Sequence, residues 1–411
     1  MSENGIPKAD TDQELSRRDF MRNAAVSAVG AVGAVALTGL MQKEALAAET
    51  PKEAAPALAA SAAPAAKPAA LTLEGVLKAA REKLYPFCRV CPECDGVACA
   101  GEVPGMGGIG SGKSFKNNYT SLSKIELNMR TFHDVKKVDT SIILFGEELA
   151  LPVMSGATGG TTYNMGLKGK MTDAEYIDGL LGGCRLAGTL GWAADGIGDP
   201  LDVFEVRLKA VLKYEGKAIV TIKPKTQEEI IKRIRLIEQA GAVAFAIDID
   251  SAGRAARAVP GQTVEPKTLK QLREIASATR LPFIIKGVMT VDETKMAIDA
   301  GASGIVVSNH GGRVLDHTPG TSDMLPKIAS KFKGKTVILA DGAVRYGTDV
   351  LKMLALGADA VLVGRPLLRG AVGGGKEGVA IMINKMKSEL VDSMVLTGTA
   401  SVRKVSKRII A

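Results

Sequence analysis

The chain has 411 residues, more than an average domain, although a single α/β barrel often runs to about 250 residues or more. Aromatic residues make up only 4% of it and glycines number 46, which suits buried parallel strands with tight turns and excludes base stacking on aromatic platforms. The net charge of +9 comes from basic residues dispersed among acidic ones. We therefore expect no nucleic-acid partner, while a mild positive field favours an anionic substrate and cofactor.

The start of the chain is predicted to be an export signal followed by a spacer. Arg17 and Arg18 precede an apolar stretch over residues 24–40, which small residues follow. This order is typical of a secretory signal, and the paired arginines indicate export by the twin-arginine (Tat) translocase. Residues 1–47 are thus interpreted as a Tat signal peptide for the periplasm, with an uncleaved membrane anchor as the alternative. Residues 48–70, rich in Ala and Pro, are interpreted as a linker.

Residues 71–125 are predicted to form an N-terminal helix and a cysteine-rich segment. Four of the five cysteines follow the spacing C-x2-C-x2-C-x4-C, at Cys88, Cys91, Cys94 and Cys99. Thiolates at this density indicate one metal centre. The spacing approaches that of ferredoxins without their final Cys-Pro, so a [4Fe–4S] cluster is one candidate, zinc is another, and disulfides are the third in an oxidising periplasm. Cys184 stands alone on a predicted helix and is explained by packing.

The same segment contains a match to the letters of a phosphate-binding P-loop. Residues 107–114 follow the pattern Gly-x4-Gly-Lys-Ser, but a P-loop needs a buried strand before it and a helix after it. The preceding residues 99–104 lack a strand pattern. We therefore interpret the match as accidental.

Residues 126–411 are predicted to form a (β/α)8 TIM barrel of the α/β class, so that the cysteine-rich segment is an N-terminal extension of it. Short apolar runs alternate with amphipathic helical patterns, and eight such units favour a barrel over a doubly wound sheet. The runs span residues 151–155, 191–194, 218–222, 243–247, 283–286, 305–308, 337–341 and 360–364. Helices are predicted between them, for example over residues 227–240, 266–279, 291–300 and 347–356.

Polar side chains cluster at the ends of four consecutive predicted strands. In a barrel of this kind the chemistry lies at the carboxyl ends of the strands. The fifth to eighth strands end in Lys286, in Ser308 with Asn309 and His310, in Asp341 with Arg345, and in Gly364 with Arg365. Four such ends in a row predict a functional site at this end of the barrel.

Three motifs carry a specific family resemblance. They are Lys-Gly-Val-Met-Thr at residues 286–290, Ser-Asn-His-Gly-Gly-Arg at 308–313 and Asp-Gly-Ala-Val-Arg-Tyr-Gly at 341–347. Over about residues 105–385 the chain resembles the FMN-dependent 2-hydroxy-acid oxidases and dehydrogenases, which include glycolate oxidase, lactate oxidase and flavocytochrome b2. The resemblance implies an FMN-dependent oxidoreductase that converts a small 2-hydroxy acid, such as lactate or glycolate, into the 2-oxo acid.

The residue types also suit that chemistry on their own account. Imidazole titrates near the working pH, so His310 can serve as the base, and Arg313 can grip a substrate carboxylate with its planar fork. Lys286 would place a fixed positive charge where reduced flavin becomes anionic. Asp341 is expected to hydrogen-bond the imidazole and to stabilise its charged form. The resemblance implies the same roles for the histidine, the arginine and the lysine.

The resemblance implies two further catalytic residues, and at one position the sequence departs from the family pattern. Asp250 matches the acid that supports the catalytic histidine, and Arg257, with Arg254 as the alternative, is the predicted second substrate arginine. Lys223 stands where the family carries a substrate-facing tyrosine. This departure leaves the identity of the substrate open.

The cofactor is expected to lie across the ends of several strands. The phosphate of FMN is expected after the seventh and eighth strands, where glycine N–H groups and arginines can bind it, at Gly342, Arg345, Gly364 and Arg365. By resemblance, the loop after the first strand packs on the isoalloxazine ring with Gly156, Ala157 and Thr158. Lys286, Ser308 and Asp341 complete the predicted cofactor-binding set.

Two other functions fit parts of the pattern. A non-oxidative FMN barrel of the type 2 isopentenyl diphosphate isomerase kind shares the glycines and the phosphate site but has no need of Arg313 as a carboxylate clamp. A flavin and metal electron carrier would have the cysteine segment as its active part. The electron acceptor is not identified by the sequence, and a homo-oligomer stays open.

Overall fold

Eight parallel strands form the centre of this computed structural model, as the alternating pattern predicts. The structure describes residues 70–197, 199–257 and 263–411, except for the side chains of residues 254–257. The predicted signal peptide and all but the last residue of the predicted linker lie outside the described residues. The strands are β1 Val153–Ser155, β2 Gly191–Ala194, β3 Ala218–Ile222, β4 Ala244–Asp248, β5 Phe283–Val288, β6 Gly304–Val307, β7 Val337–Ala340 and β8 Ala360–Val363.

Each strand pairs in parallel with its neighbour along the chain from β2 to β8, and β8 also pairs with β1. Every residue of β3 and β4 is buried, because side chains from one face fill the barrel and those from the other pack under helices. Between β1 and β2, Trp192 N donates to Ser155 Oγ over 2.8 Å and Thr189 Oγ1 donates to Val153 O over 2.6 Å. These side-chain hydrogen bonds join the two strands, so the arrangement is the predicted (β/α)8 barrel.

Ten α-helices are found in the described residues, and threonines cap the N-termini of several of them. Those of the barrel are α3 Asp173–Leu186, α4 Leu201–Lys213, α5 Gln227–Gln239, α6 Leu269–Ser277, α7 Val291–Asp299, α8 Thr321–Phe332, α9 Gly347–Ala355 and α10 Arg365–Leu396; they follow α1 Leu73–Leu84 and α2 Lys113–Ser123. Thr268 Oγ1 accepts a hydrogen bond from Gln271 N over 3.2 Å and so caps α6. The helix predicted over residues 266–279 therefore begins later than expected, at Leu269.

The N-terminal helix packs against the long final helix. Gly373 of α10 lies so close to the backbone of Val76 in α1 that a Cβ on it would collide with that residue's carbonyl group. Directly after this contact α10 is interrupted, because Gly374 and Gly375 have non-helical backbone angles. In the part of the chain that the structure describes, no helix is both long and apolar enough to span a membrane.

The P-loop-like residues enclose a carboxylate of the chain itself. Residues 101–107 form turns and bends instead of a strand, which agrees with the interpretation of the match as accidental. At the N-terminus of α2, the Ser111 N–H and hydroxyl donate to Asp316 Oδ2 over 2.6 and 2.8 Å, and Ser114 N donates to its Oδ1 over 3.2 Å. The donors that a nucleotide phosphate would need are therefore used to attach the loop after β6 to the N-terminal extension.

Candidate functional site

A cavity of about 260 Å³ opens at the carboxyl ends of the barrel strands. Most of the residues predicted for the site lie in its wall: Gly156, Ala157, Thr158, Lys286, His310, Arg313, Asp341, Gly342, Arg345, Gly364 and Arg365. They come from the ends of β1, β5, β6, β7 and β8, which are far apart in the sequence and adjacent in the barrel. The cavity is where the sequence places the chemistry.

His310 follows β6 in a strained backbone conformation. Its φ angle of 59° lies in the left-handed region, which a residue other than glycine rarely adopts, and its N–H donates to Ser308 Oγ over 3.0 Å. Its Nδ1 lies 3.0 Å from Asp250 Oδ1 and 3.4 Å from Asp248 Oδ1. The structure thus brings the predicted base and the predicted supporting acid together.

The prediction for Asp341 is not what the structure shows. Its Oδ2 accepts a hydrogen bond from Ser308 Oγ over 2.8 Å and lies 3.9 Å from Lys286 Nζ. Among the described residues the carboxylate partners of the imidazole are Asp250 and Asp248 instead. Asp341 directly follows β7, whereas Asp248 is the last residue of β4 and Asp250 lies two residues beyond it.

Asp248 is a member of the site that the sequence analysis did not identify. Its carboxylate is 1% exposed and accepts a hydrogen bond from Lys286 Nζ over 2.9 Å and another from Lys223 Nζ. Burial raises the pKa of this carboxyl, but the charges of His310, Lys223 and Lys286 outweigh that effect and hold it well below its usual value. The signal was present in the sequence, since Asp248 is the last residue of a buried strand.

Two buried lysines place positive charge under the cavity. Lys286 is 4% exposed; burial lowers its pKa, but Asp248, Asp250 and Asp341 together raise the pKa above its usual value, so the ammonium stays charged. Lys223 also lines the cavity, and its Nζ donates to Ser251 Oγ over 3.0 Å as well as to Asp248. The residue that departs from the family pattern is therefore part of the cavity wall.

Arg313 is held in the cavity wall by the N-terminal extension. One Nη donates to the carbonyl of Gly105, and the other donates to Asn164 Oδ1 over 2.9 Å. The side chain is nearly buried, so its positive charge faces the cavity from a fixed position. Neither partner was identified from the sequence, because both belong to loops without a local motif. Arg257 lies in a 3-10 helix, Ile249–Arg257, but its side chain is outside the described residues, as is that of Arg254.

Unsatisfied polar atoms in the cavity wall fit a bound cofactor. Among the described residues, Asp341 Oδ1 and Arg345 Nε are buried without a hydrogen-bond partner. Such atoms cost about 1–3 kcal/mol each unless a ligand or water satisfies them. Gly156 approaches Gly364 so closely that a Cβ on it would lie 2.8 Å from the Cα of Gly364. The glycine wall and the arginine donor suit the ring and the phosphate of FMN.

Arg365 lines the cavity but also contacts several other residues. Its Nε donates to Met106 O over 2.7 Å, one Nη donates to Gly311 O over 3.2 Å, and its guanidinium lies 3.7 Å from the centre of the Phe115 ring. Burial lowers its pKa to about 10. Arg365 thus attaches the N-terminal extension to the barrel, whereas Arg345 keeps a buried donor unused.

The four clustered cysteines line a second pocket of about 20 Å³. Met106 and Arg365 belong to the walls of both this pocket and the large cavity. Cys184 lies elsewhere, fully buried on α3. The structure therefore brings the four cysteines predicted as ligands together beside the candidate active site.

Comparison with known proteins agrees with this geometry. The family description "FMN-dependent dehydrogenase" matches residues 105–260 and 206–411. A 2-hydroxyacid oxidase of Dictyostelium discoideum is 44% identical over 143 residues, which are 35% of this chain and 37% of that protein. The 2-hydroxyacid oxidase 2 of Bos taurus is 30% identical over 317 residues, covering 71% of this chain and 88% of its own length. A crystal structure of mandelate oxidase superposes with a TM-score of 0.67 at 27% identity, over 82% of this chain and 97% of that one. The chain therefore belongs to the FMN-dependent dehydrogenase family.

Proposed function

We propose that the protein catalyses the FMN-dependent oxidation of a small 2-hydroxy acid, of the lactate or glycolate kind, to the 2-oxo acid. The observation that carries the proposal is the pairing of His310 with Asp250 in one cavity with Arg313 and the residues that suit FMN. Relatives that span most of the chain are named 2-hydroxyacid oxidases, and a solved structure that superposes on it is a mandelate oxidase.

Each side chain of the site has its own role in the proposed reaction. Since His310 Nδ1 bonds Asp250, the proton on that atom is held there and Nε2 is the nitrogen that accepts the proton of the substrate hydroxyl. The two acids beside the ring then stabilise the imidazolium that forms. Arg313, fixed by Gly105 and Asn164, binds the substrate carboxylate and orients the α-carbon. FMN, when bound, would accept the two electrons, and the buried Lys286 in the cavity wall would supply positive charge that favours the reduced form.

The proposal is tested by mixing the protein anaerobically with lactate, glycolate or mandelate and following flavin absorbance. Bleaching by at least one of the three, with formation of the 2-oxo acid, is the expected result. A flavin that stays oxidised with all of them would contradict a 2-hydroxy-acid substrate of this size. In that case an isomerase or an electron carrier becomes the better assignment.

Export is a separate part of the proposal. The pair Arg17 and Arg18 with the apolar residues that follow supports passage through the Tat translocase to the periplasm. Replacing both arginines by lysine should leave the protein in the cytoplasm, as measured by cell fractionation. A variant that still reaches the periplasm would exclude the Tat pathway.

The cysteine segment also enters the proposal, as a metal centre with an iron–sulfur cluster or zinc as the candidates. Its support is the spacing of four cysteines within twelve residues and their arrangement around one pocket. Metal analysis of anaerobically purified protein tests it.

A further inference from the structure

The segment that carries the four cysteines is a built site. Arg89 and Glu102 form a two-pronged ion pair, with both nitrogen–oxygen distances at 2.7 Å, and join the two ends of the loop. Arg81 of α1 donates to Val90 O over 2.8 Å, and Met106 N donates to Phe87 O over 3.0 Å. These bonds fix the backbone on both sides of the pocket, so the thiols are held in place by more than their own contacts.

A buried arginine contacts two of the four sulfurs. Arg369 is 7% exposed, and in the described part of the chain no carboxylate lies within ion-pair distance of its guanidinium. One of its Nη atoms lies 3.2 Å from Cys94 Sγ and 3.6 Å from Cys88 Sγ. Arg369 therefore presents a buried positive charge directly to two of the four sulfurs, and a metal centre held by thiolates would balance that charge.

The spacing of the sulfurs discriminates between the two kinds of centre. A tetrahedral zinc site holds its sulfurs about 3.8 Å apart, given zinc–sulfur bonds of about 2.3 Å. Among the described residues, no three of these four sulfurs lie within 4.8 Å of one another. An iron–sulfur cube spreads its ligands further, because each thiolate binds a different iron atom, and with four thiolates it carries the net negative charge that the arginines match.

The position of the pocket indicates a role. Its inner wall shares Met106 and Arg365 with the large cavity. On its outer side Pro92, Glu93 and Val97 are exposed, so the pocket lies between the cavity and the surface. We propose that Cys88, Cys91, Cys94 and Cys99 bind a [4Fe–4S] cluster that conducts electrons from the cavity to a one-electron acceptor at this surface, a role that rests on the proposed oxidation of a 2-hydroxy acid.

The electron balance follows from the chemistry. Oxidation of one 2-hydroxy acid to the 2-oxo acid releases two electrons and two protons. A [4Fe–4S] cluster takes up and gives away one electron at a time, so it is reduced and reoxidised twice per substrate. Two equivalents of a one-electron acceptor are consumed, for which ferricyanide serves as the probe in solution.

The experiment measures metal content and electron flow in anaerobically purified protein. We expect about four irons and four sulfides per chain, and an electron paramagnetic resonance signal after reduction with dithionite. Cys91→Ser should lose iron and signal while it keeps bound FMN, which shows that the barrel is folded. Cys184→Ser is the matched control and should keep both, because Cys184 lies outside the pocket. The iron and sulfide content of the unaltered protein decides the question even if a variant fails to fold.

The possible outcomes distinguish whether the cluster is present from whether it conducts electrons out of the cavity. Zinc in stoichiometric amount, or cysteines paired as disulfides without metal, would overturn the cluster. If lactate, glycolate or mandelate bleaches the flavin while the cluster signal does not appear, the cluster is not the exit for electrons. If the cluster is present but none of these acids bleaches the flavin, the site stands and the proposed substrate is wrong.

Discussion

The base of this site depends on how two neighbouring acids share two lysines and the imidazole of His310. Asp248 accepts hydrogen bonds from Lys223 and Lys286, which neutralise most of its charge. Asp250 is thereby left as the main partner of the imidazole of His310, at 3.0 Å. Because charged hydrogen bonds of this kind fix the ring and its tautomer, the histidine is oriented before the substrate arrives. One carboxylate oxygen each of Asp248 and Asp250 and one ring nitrogen of His310 lie within 4.8 Å of one another, a spacing that could hold a metal ion. The carboxylate of Asp248, however, already accepts hydrogen bonds from Lys223 and Lys286.

Replacing His310 by alanine tests its role as the base. General-base catalysis contributes about 10²–10⁴-fold, so we expect a loss of that order in the rate of flavin reduction by the best hydroxy acid, as measured by stopped flow. FMN should stay bound, since the phosphate residues are untouched. The control is His317→Ala, because His317 is exposed and lies in the loop after β6. Flavin reduction at the wild-type rate in His310→Ala would remove the histidine from the mechanism.

At the scale of single residues, the sequence predicted the members of the site that lie in short continuous motifs. His310, Arg313 and Lys286 were found because each follows a predicted strand. Asp248 was missed because two acids end the same strand, and the sequence does not show which side chain faces the lysines. The partners Gly105 and Asn164 of Arg313 could not be predicted, since those contacts join residues 149 or more positions apart.

Single elements were predicted where their ends carry a local signal. The apolar runs gave all eight strands, because parallel strands buried on both faces contain few polar residues. Of the four helices predicted as examples, those that begin at residues 227, 291 and 347 were confirmed in their starts, and one begins later than predicted, after the cap at Thr268. The contact between Gly373 of α10 and Val76 of α1 follows from packing of distant elements, and no short-range pattern indicates it.

The contact between α2 and Asp316 gives a prediction about stability and pH. Burial raises the pKa of Asp316, but hydrogen bonds from Ser111, His317 and Ser114 lower it to about 2. A group whose pKa is lowered by folding adds stability that is present above the pKa of the unfolded chain and is lost as the pH falls through the folded value. Asp316→Asn should therefore lower the free energy of unfolding at pH 7 by about 0.5–2 kcal/mol, the range for a lost helix cap.

The pH dependence of that variant is the sharper measurement. The free energy of unfolding, measured with urea, should differ between wild type and Asp316→Asn by a constant amount from pH 7 to about pH 4. Below about pH 4 this difference should become smaller. Glu148→Gln is the matched control, because Glu148 is exposed in the antiparallel pair of short strands Ile142–Leu144 and Glu147–Leu149, which precedes the barrel, and should show no comparable difference. A difference that is absent at pH 7, or that widens in acid, would show that the carboxylate does not stabilise the N-terminus of α2.

For the molecule as a whole, the barrel assembles a binding site from pieces that no single element contains. Among the described residues, the cavity draws on the ends of every barrel strand except β4 and, through Met106, on the N-terminal extension. Buried polar groups without a hydrogen-bond partner, such as Arg345 Nε, destabilise the ligand-free protein but are available to bind a ligand. Binding of FMN should therefore stabilise the entire domain and not only the loops that touch it.

The expected gain follows from mass action. A ligand that binds only the folded state at a hundredfold excess over its Kd adds about 2.7 kcal/mol, which for a domain of this size raises Tm by about 4 °C. Protein stripped of flavin should show that shift with FMN and a smaller one with riboflavin, which lacks the phosphate. Arg345→Gln should reduce the FMN shift to that of riboflavin, because the guanidinium is the proposed phosphate donor, while Arg235→Gln on the exposed face of α5 should change neither. Equal shifts for FMN and riboflavin in the wild-type protein would place the phosphate outside the groups at the ends of β7 and β8.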